Sequence, residues 1–308
     1  MNLYPLKFTP ILKPKIWGHE SWQLSAYGGS ISVVENGYLA GNDLNELVEV
    51  YMGELVGDHV FEHFGGLFPL LFKFIETNAN LSVQVHPGDE VALERHGSLG
   101  KDEMWYVIRS KPHAQLILGL TEDIDREILS DRLRTKNFNS LLNKVEVAPG
   151  DVALIPHGLV HALRENVYVA EIQETSDLTY RLHDYDRIGA DGKPRELHIE
   201  QAMEVMDYRR HTQALVDYPP EINGAANLAE NEHFTTNLLC FDRKIGRDYA
   251  PLDSFVVYMC VGGAAEVETE EGSVLLSESE TLLLPASIDE VFLTPRTKEV
   301  RLLEVYVP

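Results

Sequence analysis

Apolar residues in this chain fall mostly into short runs bounded by glycine, proline, asparagine and aspartate. The runs at 81–85, 104–108, 115–118, 152–155, 167–172 and 255–261 are rich in β-branched, aromatic and aliphatic residues. Such runs predict strands, and so many of them point to a sandwich or barrel. Helical spacing appears in three places. Leu44, Leu47, Val48 and Tyr51 recur at i, i+3, i+4 and i+7 within 43–52, which is one face of a helix. Thr121 is placed to cap a helix that starts with Glu122 and Asp123 and runs toward Leu133. Within 196–208, Leu197, Ala202, Val205 and Met206 gather loosely on one side. The pattern therefore predicts a mainly β fold carrying a few added helices.

The chain has 308 residues, long enough for two units. Its periodicity breaks at 211–232, a polar stretch with Pro219-Pro220 and the run Asn223-Gly224-Ala225-Ala226-Asn227. A linker is expected there, dividing a domain at 1–210 from one at 233–308. The net charge of −23 argues against nucleic acid and anionic membrane as partners. An anionic small molecule would have to be met by a local basic pocket. Cys240 and Cys260 sit in apolar strand-like runs and read as small buried hydrophobes, not as a disulfide or a nucleophile. No stretch is long and apolar enough to span a membrane, and residues 1–7 lack a signal-type run. A cytoplasmic protein is the expectation.

Two segments carry candidate chemistry. Gln84-Val85-His86 closes an apolar strand, and residues two apart on a strand share a face. Gln84 and His86 should project together, as metal ligands or as an ordinary polar pair. The stretch Gly150-Asp151-Val152-Ala153-Leu154-Ile155-Pro156-His157-Gly158-Leu159-Val160-His161 is more specific. A Gly-Asp turn leads into a strand, a Pro-x-Gly turn follows, and a histidine opens the next strand. That second segment resembles the second signature of the cupin superfamily, whose histidine is a metal ligand. Lys101-Asp102-Glu103 then stands where cupins place a glutamate, although Glu103 lies seventeen residues after His86, a longer gap than is usual.

The finer pattern resembles one family. Leu-Ser-Val-Gln-Val-His-Pro at 81–87, Gly-Lys-Asp-Glu-Met-Trp-Tyr at 100–106 and Ile-Pro-His-Gly-Leu-Val-His-Ala at 155–162 are similar to motifs of the type I mannose-6-phosphate isomerases. The opening at 12–22 and Tyr180-Arg181-Leu182-His183-Asp184-Tyr185-Asp186-Arg187 are similar to further segments of that family's short bacterial form. The resemblance runs from about residue 5 to about residue 210 and continues more weakly to the end. It implies two cupin jelly-roll barrels and interconversion of mannose 6-phosphate and fructose 6-phosphate through an enediol. It also implies one zinc ion per chain, held by Gln84, His86, Glu103 and His161, with Arg181 and Lys101 as catalytic residues. The residue types suit that chemistry, because negative charge develops on substrate oxygens and a divalent ion with an open position stabilises it.

Competing readings stand beside these. Arg181 could instead pair with Asp184 or Asp186. Arg187, and with it Lys193 and Arg195, could hold the substrate's phosphate or belong to a solvated loop around 189–192. Ser82 alternates onto the face of Gln84 and could touch the sugar, or it could be a satisfied strand serine. His157 and His183 could move protons or be bystanders, and His59 and His63, four apart, read as surface or packing residues. His157 and Leu159 depart from the family's usual small residue and threonine, which bears on substrate fit. The stretch at 278–291 repeats the Pro-turn grammar with Ile288-Asp289-Glu290-Val291 where a histidine would stand, so the C-terminal barrel is expected to bind no metal. The alternative to an isomerase is a non-catalytic cupin that binds a sugar or sugar phosphate.

Overall fold

The computed structural model describes residues 2–189, 192–219 and 221–308. Ala190 and Asp191 of the charged loop, and Pro220 of the expected linker, lie outside the described residues. Strands dominate the described chain, and contacts divide it into two compact units.

One unit comprises residues 12–20 and 74–216. Its first sheet runs in the order Leu142–Glu146, Gln115–Leu120, His161–Leu163, Val83–Val85, Tyr180–His183. Its second carries Val152–Ile155, Glu103–Ser110 and Val167–Glu174, with antiparallel pairing throughout. The period-2 alternation of each strand sorts its side chains between two faces. Trp105, Val107, Leu116, Leu118, Ile155, Leu163 and Val169 fill the interior, with Trp17. Val83, Val85, Ala162 and Leu182 turn outward against Leu129, Phe138, Ala202 and Met203 on the helical segments.

The other unit comprises residues 1–11, 21–73 and 217–308. Its seven-stranded sheet runs Gly224–Glu230, Thr235–Phe241, Val300–Tyr306, Val256–Gly262, Thr281–Leu284, Leu6–Thr9, Val33–Val34. Facing it are Ile245–Asp248, Glu290–Pro295, Ala264–Thr269 and Gly272–Ser277. Leu239, Val267, Leu282, Leu293 and Leu302 pack between them. Buried Glu304 gathers a polar cluster in that interior, accepting from Tyr249 Oη at 2.5 Å, Arg247 Nε at 2.8 Å and Asn237 Nδ2 at 2.9 Å. Cys240 and Cys260 are buried free thiols.

This division differs from the linear reading of 1–210, 211–232 and 233–308. Leu6 pairs with Leu283, so the N-terminal strand completes the sheet of the C-terminal unit. Gly224–Glu230, inside the expected linker, pairs with Thr235–Phe241 as a strand. Strand pairing is decided by which edge needs a partner, and sequence distance does not reveal it. The second expected helix also starts later, as Arg126–Arg134 with Asp125 accepting from Ile128 N at 2.8 Å. Thr121 instead donates to Leu141 O. The other two helices form as Leu44–Tyr51, closed by the Asp43/Glu46 capping box, and Ile199–Val205. Short helices at Gly53–Val56, Asp58–Phe64 and Asp89–His96 were not expected.

Candidate metal centre

Cross-strand register assembles the site. Gln84 is opposite His161 on one side and opposite Arg181 on the other, so the three form one row across neighbouring strands. In the facing sheet Glu103 stands between Ile155 and Gln173. His86 follows the strand that carries Gln84. The result is that His86, Glu103 and His161 turn ligand atoms toward one another within 4.8 Å. All three are buried, at 1%, 2% and 0% exposure.

Each imidazole is fixed by a backbone carbonyl. His86 Nδ1 donates to Leu178 O at 2.7 Å, and His161 Nδ1 donates to Leu159 O at 2.8 Å. A carbonyl can only accept, so both rings carry their proton on Nδ1 and present the Nε2 lone pair inward. This outer hydrogen bond is the usual companion of a metal-ligating histidine. His161 Nε2 lies 3.2 Å from Glu103 Oε1, and His86 Nε2 lies 3.7 Å from Oε2. Neither carboxylate oxygen accepts a well-formed hydrogen bond, although the Lys101 ammonium sits 2.8 Å from Oε2. A buried carboxylate left so under-satisfied is costly unless a cation compensates it. The donor set of two imidazoles and a carboxylate therefore fits a divalent ion of N/O preference.

Gln84 completes the neighbourhood. Ser82 Oγ donates to Gln84 Oε1 at 3.3 Å, and the amide nitrogen faces His161 Nε2, also at 3.3 Å. The amide's two ends are nearly isosteric, and turning it over would aim its oxygen into the cluster. Ser82 thus touches Gln84, and among the described residues it orients that amide.

The electrostatics favour the ligand-ready protonation state. Burial lowers the His86 pKa from 6.5 to about 3, with Lys101 acting in the same direction against Glu103. Burial also lowers His161. Burial would raise Glu103, but Lys101, followed by the two imidazoles, overrides it and holds the carboxyl well below its ordinary range. A histidine kept neutral in the fold and titrating at 6.5 when unfolded makes the unfolded chain bind more protons. Its contribution to stability is complete above 6.5 and falls as pH drops toward about 3. Urea midpoints of the chelated protein should decline across that window, and His86→Gln should flatten the decline. A midpoint that does not move there would contradict this account.

Behind the ligand loop a second set of bonds holds position. Asp102 Oδ1 accepts from His157 N at 2.8 Å and from His157 Nδ1 at 2.7 Å. Asp102 N donates to Glu174 Oε2 at 2.7 Å, Gly100 N donates to Asp89 Oδ1 at 2.6 Å, and Lys101 N donates to Pro87 O at 3.1 Å. Burial raises the Glu174 carboxyl to about 8. His157 is therefore tied to the loop that presents Lys101 and Glu103. Its neighbour in the sequence reading, His183, lies edge-on to Phe138 and Tyr185. His59 sits beside Asp253 at 3.4 Å and His63 against Phe64, so this pair makes no ligand set.

Arg181 is not consumed by an acid. Asp184 is bound by Arg187 Nη2 and by Arg195, whose Nε lies 2.7 Å away, and Asp186 faces Lys136 at 3.4 Å. Arg181 Nη1 donates to Glu196 O at 2.8 Å, and its Nε is buried without a hydrogen-bond partner. Burial, together with Arg195 and Arg187, lowers its pKa from 12.5. Arg187 Nη1 also donates to Asn80 O. The pairing of Asp184 with Arg187 and Arg195 was not legible from spacing, because an i, i+3 acid has several basic neighbours within reach.

Comparison with known proteins follows the same lines. A family model for the phosphomannose isomerase type I catalytic domain matches residues 9–118. The chain is 40% identical over 221 residues to the probable mannose-6-phosphate isomerase GmuF of Bacillus subtilis, covering 66% of this chain and 68% of that protein. It is 38% identical over 236 residues to the mannose-6-phosphate isomerase ManA of the same organism, covering 69% and 72%. The crystal structure of mannose 6-phosphate isomerase from Bacillus subtilis superposes with a TM-score of 0.87 at 29% identity, covering 99% of each chain.

Proposed function

The chain belongs to the type I phosphomannose isomerase family, and from that premise we propose that it interconverts mannose 6-phosphate and fructose 6-phosphate, using a divalent ion held by Gln84, His86, Glu103 and His161. The observation that carries this reading is the buried His86–Glu103–His161 cluster, whose imidazoles both turn Nε2 inward. Zinc suits two imidazoles and a carboxylate. When bound, the ion supplies Lewis-acid polarisation of substrate oxygens.

The rest of the chemistry falls to side chains. Isomerisation moves a proton from C2 to C1 of the open-chain sugar, with a compensating proton shift between the oxygens. The intermediate enediolate carries negative charge. Arg181, with an unpartnered buried Nε in the row of Gln84 and His161, supplies a donor and a positive field there. Lys101, buried and 2.8 Å from Glu103, adds a second cation at the cluster. Arg187 and Arg195 around Asp184 carry more positive charge than that carboxylate offsets, which suits them to receive the substrate's phosphate in an otherwise acidic protein. The substrate is a small sugar phosphate of the kind kept in the cytoplasm, and that is where we place the protein. No described helix is long and apolar enough to cross a membrane.

The direct test is a coupled assay for fructose 6-phosphate formed from mannose 6-phosphate, before and after chelation. Activity that survives rigorous removal of metal would overturn the metal's role, and absence of activity in the zinc-loaded protein would favour the sugar-binding alternative. In the C-terminal unit Ile288-Asp289-Glu290-Val291 offers no histidine at the position that His161 takes after the Pro-x-Gly turn, so that unit is read as metal-free. Elemental analysis should accordingly find one tightly held ion per chain. Two would contradict the reading of the C-terminal unit as metal-free.

A further inference from the structure

Tyr180–His183, which carries Arg181, is the last strand of its sheet and is paired on one side with Val83–Val85. The register of that pairing shifts just after Arg181, between it and His183. A side chain that must reach one point is fixed only if such a strand is also held from its open side. The tripeptide Glu196-Leu197-His198 provides that hold. His198 N donates to Arg181 O at 2.8 Å, and Arg181 N donates to His198 Nδ1 at 3.2 Å. Both backbone groups of Arg181 thus go to one residue, whose imidazole stands in for the carbonyl a neighbouring strand would offer. Glu196 O takes the Arg181 side chain at Nη1, 2.8 Å away.

The ring's protonation follows from its partner. An amide N–H only donates, so Nδ1 of His198 is unprotonated and the proton sits on Nε2. This is the opposite tautomer from His86 and His161. Burial, and then the charge of Arg181, lower the His198 pKa from 6.5 against Glu196, which keeps the ring neutral and able to accept. His198 is itself fixed from behind. Its carbonyl accepts from Ala202 N at 2.9 Å and opens the helix Ile199–Val205. Ala202 and Met203 of that helix share a core with Val85, Tyr180 and Leu182. The His198 ring also lies tilted against Tyr180, with centroids 6.3 Å apart.

We propose that His198 is a positioning residue for the isomerisation, a role that rests on the reading of Arg181 as the donor to the enediolate. By clasping the backbone of Arg181 on both sides of its Cα, it sets where the guanidinium stands in the row of Gln84 and His161. The unpartnered Arg181 Nε is left in a defined place.

Two variants of the full-length, metal-loaded protein separate this role from simple packing. His198→Phe keeps a ring against Tyr180 and loses the acceptor. His198→Asn loses the ring and keeps an oxygen close to where Nδ1 stood. His198→Phe should lower kcat by about tenfold or more, with a smaller change in KM and with metal content retained. His198→Asn should keep most of the turnover. The reverse order, a normal Phe variant and an impaired Asn variant, would overturn the proposal in favour of ring packing. If His198→Phe does not fold, His198→Gln, which moves the acceptor outward by one bond, is read in its place with the same loss expected.

The same substitution in an Arg181→Ala background tests whether His198 acts through Arg181. There His198→Phe, or His198→Gln, should change kcat by no more than about twofold. A low kcat in Arg181→Ala that falls again by the full single-variant factor would overturn the role of His198 alone. A normal kcat in Arg181→Ala itself would remove the reading of Arg181, and the role of His198 with it.

Discussion

Replacing His161 with alanine is expected to strip the protein of its metal and abolish isomerase activity, while leaving a folded chain. His161 Nε2 faces Glu103 at 3.2 Å, and its ring is locked by Leu159 O. Removing it leaves Gln84, His86 and Glu103 beside an ammonium, with one imidazole where there were two, and a neutral amide is a weak substitute for the lost nitrogen donor. The cavity left behind will lower stability somewhat, since the ring also packs edge-on to Trp105 with centroids 5.5 Å apart. Metal content by elemental analysis and the melting transition, measured together, separate the two effects. Full metal occupancy in the variant would show that the ion sits elsewhere. His161→Gln, which keeps a donor and most of the volume, should retain some metal at reduced affinity.

Arg181→Ala should lower kcat by on the order of a hundred- to thousandfold while metal content and fold persist. Removing one preorganised donor to a developing oxyanion typically costs about 3–4 kcal/mol of transition-state stabilisation. The larger change should fall on kcat and the smaller on KM, since the charge it meets appears only as the enediolate forms. Arg181→Lys should rescue partially, because an ammonium restores charge without the planar fork. A structural role predicts the opposite split, an early-melting protein that turns over normally. The packing already weakens that alternative: Asp184 is taken by Arg187 and Arg195, and Asp186 faces Lys136. If Arg181→Ala nevertheless turns over at the normal rate, the catalytic cation must be sought at Lys101.

Much of the candidate metal centre is legible in the sequence because its pieces are local. The alternation of a strand puts Gln84 and His86 on one side, and the Pro-x-Gly turn fixes the entry of His161, whatever the rest of the chain does. Glu103 is harder: the chain between it and His86 folds as the helix Asp89–His96, which period-2 reading does not anticipate. The short helices and the cap at Asp125 in place of Thr121 were missed for a related reason. Several nearby residues could cap, and the one that does is chosen by where the preceding strand must end.

The sequence by itself determined that apolar runs such as 104–108, 152–155 and 167–172 form strands, and which of their side chains share a face, because these follow from backbone geometry over a few residues. Only the tertiary structure decided the partners. It placed Leu6 against Leu283, made 224–230 a strand and not a linker, gave Asp184 to Arg187 and Arg195, and left Arg181 with an unsatisfied nitrogen in the row of Gln84 and His161. The physical reason is that an edge strand or a buried charge is satisfied by whatever group the closed fold brings to it, and that group can come from anywhere in the chain.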